Sequence, residues 1–281
     1  MKPRLIALFV LILILVVWWQ PLYLGSVEVT IAEGAHAREI ADYLAQNRIV
    51  RGKSDIVVTI PEGMTAYETA EILCSTGLVQ KDTFLELCAR EDFVRSLGIP
   101  SSHLEGYLFP DTYSFSPMQS DSNIIVTIVR NTHRHMEDAH VPRDSMHFII
   151  TLASLVEKEA KVAEERPIIA KIFLNRLETH RPLESCATIL YALKQQNYEK
   201  FKNKKRLLER DLKLVSPYNT YLHYGLPPGP ICSPGKQSID AVLHPADVDY
   251  LYFVAKGDGR HHFSKTFREH IAAKERYSGT Q

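Results

Sequence analysis

The sequence predicts a membrane-anchored α+β protein, and three observations carry that prediction. An unbroken apolar run occupies residues 5–19 behind Lys2 and Arg4. Val29-Thr30-Ile31-Ala32-Glu33-Gly34 then recurs as Val58-Thr59-Ile60-Pro61-Glu62-Gly63, 29 positions on. Further along, Phe148, Leu152, Leu155 and Glu159 fall at i, i+4, i+7 and i+11, the spacing of one helix face.

The apolar run is interrupted by Gln20-Pro21 and resumes as Leu22-Tyr23-Leu24. With that extension it reaches the roughly twenty residues that a bilayer requires. Trp18, Trp19 and Tyr23 suit the far interface, and basic residues before the run with none just after it place the N-terminus inside. A cleaved signal peptide is the alternative, but no Ala-x-Ala site follows and no Cys is placed for lipidation. Residues 1–25 are therefore expected to be a cytoplasmic tip and an uncleaved anchor.

The remaining chain suits one large or two modest domains. With 33 basic and 33 acidic residues the formal charge is zero, which argues against a nucleic-acid partner. Cys74, Cys88, Cys186 and Cys232 have no metal-ligand spacing and are expected to be buried free thiols. His133, His135 and His140 cluster near the end of a helix over residues 123–139, among Arg and Asp on a solvated face. Neither a metal nor a cofactor is expected.

Each copy of the repeat reads as a short strand, a Glu-Gly turn, an amphipathic helix and a second short strand, with Ile40-Ala41 and Leu44 matching Thr69-Ala70 and Leu73, and Ile49-Val50 matching Leu78-Val79. One copy buries little alone, so the two should pack together. The pattern resembles LysM-like modules, which implies affinity for glycan rich in N-acetylglucosamine; a plain α+β spacer is the alternative. A helix from Thr83 through Phe84, Leu87 and Cys88 ends at Gly98-Ile99-Pro100. The module is assigned residues 26–100, with a boundary near Ser101.

Residues 104–113 are dense in aromatics and broken by Gly and Pro, which predicts an ordered loop with a short strand. Aromatic faces beside carboxylates suit sugar rings, which makes Glu105 and Tyr107 candidates for substrate contact. Asp144 or Ser145 can cap the central helix. Its apolar residues centre nearer to Glu159 than to Glu157, and a carboxyl against apolar neighbours can stay protonated near neutral pH and donate its proton. A solvated helix end, with Glu157 paired to Lys161, is the plainer reading.

A second amphipathic helix spans residues 164–177 and carries Asn175-Arg176 near its end, with Asn175 a candidate for substrate contact. The basic stretch 200–213 reads as a solvated face. Residues 216–221 and 225–235 are turn-rich loops able to wall a cleft, with Asn219 and Tyr221 placed to bind N-acetyl or hydroxyl groups. Residues 251–255 and 260–264 form a hairpin about Gly257-Asp258-Gly259. Adjacent His261 and His262 point to opposite faces of a strand and do not readily share a metal. His262 and Ser264 are read as groove residues, a purely structural hairpin being the alternative.

Residues 104–113, Ala153-Ser154-Leu155-Val156-Glu157-Lys158-Glu159, Phe173-Leu174-Asn175-Arg176-Leu177, Ser216-Pro217-Tyr218-Asn219-Thr220-Tyr221, residues 225–231 and residues 251–255 together resemble the YceG-like family of endolytic murein transglycosylases, also called MltG. The resemblance implies a single-pass bacterial inner-membrane protein with a periplasmic catalytic domain over residues 101–281. Such a protein cuts nascent peptidoglycan between N-acetylmuramic acid and N-acetylglucosamine, leaves 1,6-anhydro ends, and works beside peptidoglycan synthases in ending strand growth. It implies Glu159 as the catalytic acid. Members commonly read Leu-Gln-x-Asp-Pro-Thr where this chain has Leu183-Glu184-Ser185-Cys186-Ala187-Thr188. Thr188 and Tyr191 keep their places and should still floor the groove. Two rivals stay open: a lysozyme-like hydrolase using Glu105 or Glu157 as second carboxylate, and a non-catalytic glycan-binding scaffold.

Overall fold

The computed structural model describes residues 55–277, so the expected anchor and the first repeat copy lie outside the described residues. Among the described residues no helix is long and apolar enough to cross a membrane. The fold is α+β, with helices covering two separate two-stranded antiparallel sheets.

Strand β1 (Ile56–Thr59) pairs with β2 (Thr112–Phe115) in the register Ile56↔Phe115 to Thr59↔Thr112. Helix α1 (Ala66–Ser75) starts at a reciprocal cap, the Thr65 hydroxyl accepting from Glu68 N and the Glu68 carboxylate accepting from Thr65 N. Leu78 and Val79 are buried but form no strand, so the second copy lacks its expected last element. Helices α2 (Lys81–Ala89) and α3 (Glu91–Ser96) follow, and Gly98 closes the segment at a φ of +72°. The apolar core is continuous from Val58 and Leu73 through Leu104 and Leu108 to Val242.

Helix α4 (Asp121–Asp138) leads to α5 (Arg143–Glu159), the long central helix. It begins after Pro142, with neither Asp144 nor Ser145 capping by side chain. Every residue from Ile150 to Val156 is buried, because α5 is surrounded by neighbours rather than lying against one, whereas Phe148 on its first half is 42% exposed. A 3-10 turn (Ala163–Glu165) connects to α6 (Arg166–Glu178), and α7 (Cys186–Gln196) and the short α8 (Tyr198–Phe201) follow. Helix α9 (Lys236–Leu243) packs on α5 and α6.

Strands β3 (Tyr252–Ala255) and β4 (His261–Ser264) form the expected hairpin, with Phe253 opposite Phe263 and Ala255 opposite His261. Their alternation puts Phe253, His261 and Phe263 on one face and Tyr252, Val254, His262 and Ser264 on the other. The first face meets Phe173 of α6, while Tyr252 and His262 meet Phe267 and Tyr277 of the last helix, α10 (Phe267–Tyr277). All four cysteines are free, but only Cys88 and Cys232 are buried; Cys74 and Cys186 are exposed, Cys186 because it opens a helix at the surface.

Candidate functional site

Glu159 and Glu157 end the same helix in different surroundings. Glu157 accepts from Gly235 N at 3.1 Å and from the Ser238 hydroxyl at 2.7 Å, and Arg166 lies 3.7 Å from its other oxygen. It ties α5 to α9 and α6. It is not paired with Lys161.

Glu159 faces the start of α7. Ser185 holds the N-cap position of that helix yet makes no capping bond; its hydroxyl donates instead to Glu159 Oε1 at 2.5 Å. The backbone N–H of Ala187, in the first turn of α7, also donates to this carboxylate. Burial pushes the Glu159 carboxyl above its ordinary range; the Ser185 bond, the nearby His261 charge and the Ala187 N–H pull back without cancelling it. The result is a desolvated acid held at a helix N-terminus, able to keep a proton to higher pH than a surface glutamate and then to bear charge when it gives that proton up.

The loop that departs from the family pattern is the loop that grips Glu159. Glu184 takes a left-handed φ of +51°, and its N–H donates to Thr220 O while Ser185 N donates to the Thr220 hydroxyl. Thr188 is fully buried and donates to Ser185 O, with the Thr220 hydroxyl 3.0 Å away. It therefore fixes the loop that presents Ser185. Where relatives of the resembled type carry proline, Ala187 has an N–H to offer Glu159. Tyr221 reaches the same place, its hydroxyl 3.1 Å from Cys186 Sγ.

His261, and not the expected His262, turns toward the Glu159 side of the hairpin. Its Nδ1 lies 2.7 Å from Glu165 Oε2, and its N–H donates to Glu165 Oε1, with both side chains buried. The strand period decides this: His262 is turned to Tyr277, and Ser264 is 2% exposed with an unpartnered hydroxyl on that same far face.

Three other predicted contact residues are spent on the protein itself. Tyr107 is fully buried, its hydroxyl 2.8 Å from His147 Nδ1. Asn219, also fully buried, donates to Leu212 O and Leu214 O and accepts from Tyr221 N, bracing the loop after the basic stretch. Asn175 donates to Val248 O and Tyr250 O. Polar side chains in such turn-rich surroundings are needed to satisfy carbonyls that no ladder pairs.

Glu105 and Tyr191 come together elsewhere, in a cavity of about 800 Å³ between α1, α2, α7 and residues 215–218. Glu105 is 5% exposed, accepts from Ala66 N at 3.0 Å and from the Tyr191 hydroxyl at 3.4 Å, and pairs with no cation among the described residues. Gly106 beside it takes a φ of +85°, and a Cβ there would overlap the Pro230 ring, so only glycine lets these two loops meet. Burial raises the Glu105 pKa from 4.5 to about 7; the Ala66 N–H lowers it, the Glu68 charge raises it, and the Gly106 N–H and Tyr191 lower it.

A stability prediction follows from that shift. The folded state holds a proton on Glu105 that the unfolded state releases, so its contribution to stability is present below about pH 4.5 and is lost as pH rises to about 7. The loss amounts to about 3 kcal/mol. Urea unfolding of Glu105→Gln and wild type at pH 5 and pH 8 should show the difference between the two proteins shifting in favour of the variant by that amount. A constant difference would refute it.

Comparison with known proteins bears on the family of the chain. The family model described as YceG-like matches residues 23–276. An endolytic murein transglycosylase of Bacillus subtilis is 36% identical over 256 residues, covering 89% of this chain, and one from Streptococcus pneumoniae is 30% identical over 240 residues, covering 76%. The chain spans 65% of the length of the first relative and 43% of the second. A crystal structure of a YceG-like protein from Listeria monocytogenes superposes with a TM-score of 0.67 at 33% identity, covering 83% of this chain and 80% of that one. With the family model matching over most of its length, the chain belongs to the YceG-like family.

Proposed function

We propose that this protein is an endolytic lytic transglycosylase of peptidoglycan, held at the bacterial inner membrane by residues 1–25 with residues 101–281 periplasmic and catalytic. The observation that carries the reading is the desolvated Glu159 carboxyl, bonded by Ser185 and Ala187, in a family whose named relatives are endolytic murein transglycosylases.

Protonated Glu159 donates to the glycosidic oxygen as the bond from C1 of N-acetylmuramic acid to N-acetylglucosamine breaks. The resulting carboxylate, stabilised by the Ser185 hydroxyl and the first turn of α7, takes the proton from the muramic C6 hydroxyl. That oxygen closes on C1 as the 1,6-anhydro ring, with no water consumed. One carboxylate suffices because acid and base act in succession, whereas hydrolases position two. Tethering of the C6 hydroxyl gives it a high effective molarity against water. Glu157 is engaged by α9 and Arg166, which removes it as the second carboxylate of a hydrolase. The repeat module would hold the strand, and peptidoglycan synthases are the expected neighbours.

The test is digestion of un-crosslinked glycan strands by the full chain in detergent micelles, with mass spectrometry of the new ends. Anhydro-muramic ends are expected from wild type and from Glu157→Gln. The latter should lose only stability, about 1–3 kcal/mol, for its weakened bonds to Gly235 N, Ser238 and Arg166. Reducing ends would make the protein a hydrolase, and intact strands would leave the scaffold reading.

A further inference from the structure

The cavity around Glu105 is separate from the groups that hold Glu159, but the two share a wall. Helix α7 presents Ser185 and Ala187 to Glu159 at its start and Tyr191 to the cavity farther on. At 1.5 Å of rise per residue, Ser185 and Tyr191 are about 9 Å apart along the axis. One helix therefore joins the cavity to the groups that hold Glu159.

Four tyrosines line the space in two tilted pairs, Tyr67 with Tyr198 at 3.8 Å between centroids and Tyr191 with Tyr218 at 4.9 Å. Val215 at its edge is 89% exposed. The cations nearby are already taken: Lys194 pairs with Glu68 at 2.9 Å and Lys81 with Glu71 at 3.0 Å. Aromatic faces, a buried carboxyl without a cation and no spare positive charge together exclude an anionic ligand and suit a neutral one with C–H faces, hydroxyls and an amide.

We infer that this cavity binds an N-acetylhexosamine unit of the glycan strand, stacked on Tyr218 and hydrogen-bonded to Glu105, one or two units from the bond cut. The inference rests on the glycan reading above, and it assigns the cavity a part in setting the register of the strand over Glu159.

The experiment is titration calorimetry of the full chain in micelles with tetra-N-acetylchitotetraose, which contains no muramic unit and so binds without forming an anhydro ring. Wild type should bind. Tyr218→Ala and Glu105→Leu should each weaken binding about tenfold or more. Tyr218 is only half-buried, so its variant should keep the wild-type melting temperature and remains informative if Glu105→Leu does not fold. Equal binding by Tyr218→Ala and wild type would overturn the assignment, as would preference for a stem peptide over the oligosaccharide. Strand cleavage by a wild type that binds no chitotetraose would overturn the cavity but keep the reaction. Tyr218-dependent binding without any cleavage would keep the cavity and overturn the reaction.

Discussion

Glu159→Gln is expected to lower kcat for strand cleavage by about 10²–10⁴-fold with KM little changed. Glutamine fills the same volume, and its carbonyl oxygen can still accept from Ser185 and Ala187 N–H, so the start of α7 should keep its place. What the variant lacks is the proton to give to the leaving oxygen and the basicity to recover one from the attacking hydroxyl. Burial raises the wild-type carboxyl, so the acid form persists above the usual carboxylate range, and the rate should fall as pH rises through the folded pKa. Release of anhydro ends over time, measured across pH, checks both statements. Activity within tenfold of wild type would remove Glu159 from the chemistry.

Arg176→Ala should cost about 3–5 kcal/mol of unfolding free energy. The guanidinium is 7% exposed and donates to Leu251 O at 2.7 Å, Pro182 O at 3.1 Å, Leu183 O at 3.0 Å and the Glu184 carboxylate at 2.9 Å. Truncation leaves three carbonyls without this donor in a place water hardly reaches, each a penalty of about 1–3 kcal/mol before relaxation. Arg176→Lys should recover only part, since one ammonium cannot span acceptors that the planar fork reaches from two sides. The functional consequence runs through Glu184 and Ser185: with Pro182 and Leu183 released, the left-handed turn at Glu184 loses its restraint, and the Ser185 hydroxyl leaves Glu159. Urea unfolding gives the stability loss, and cleavage by the folded fraction at low temperature tests the link to Glu159. A destabilisation under about 1 kcal/mol would contradict the latch.

Much of the local structure was legible because its causes are local. The 3.6-residue spacing of Ile150 to Val156, the amphipathic stretch carrying Asn175 and Arg176, and the Gly257-Asp258-Gly259 turn between β3 and β4 each follow from a few consecutive side chains. The same spacing favoured Glu159 over Glu157, but for a reason the structure changes. Helix α5 is buried all round from Ile150 to Val156, and the two acids beyond differ in what meets them: Gly235, Ser238 and Arg166 at Glu157, Ser185 and Ala187 at Glu159.

The sequence by itself determined the α+β class and the family blocks. Tertiary structure alone decided what each polar side chain is spent on. Asn175, Asn219 and Tyr107 look like ligand contacts in the chain, yet they satisfy carbonyls or a histidine 40 or more positions away or across a tight loop. Ser185 looks like an ordinary helix cap and instead holds Glu159. Likewise the strand period puts His261 and His262 on opposite faces, but only the packing of β4 between Glu165 and α10 decides which face each one takes. A hydrogen bond is satisfied by whichever partner the fold brings within about 3 Å, and that partner's position along the chain is not encoded in the residue that needs it.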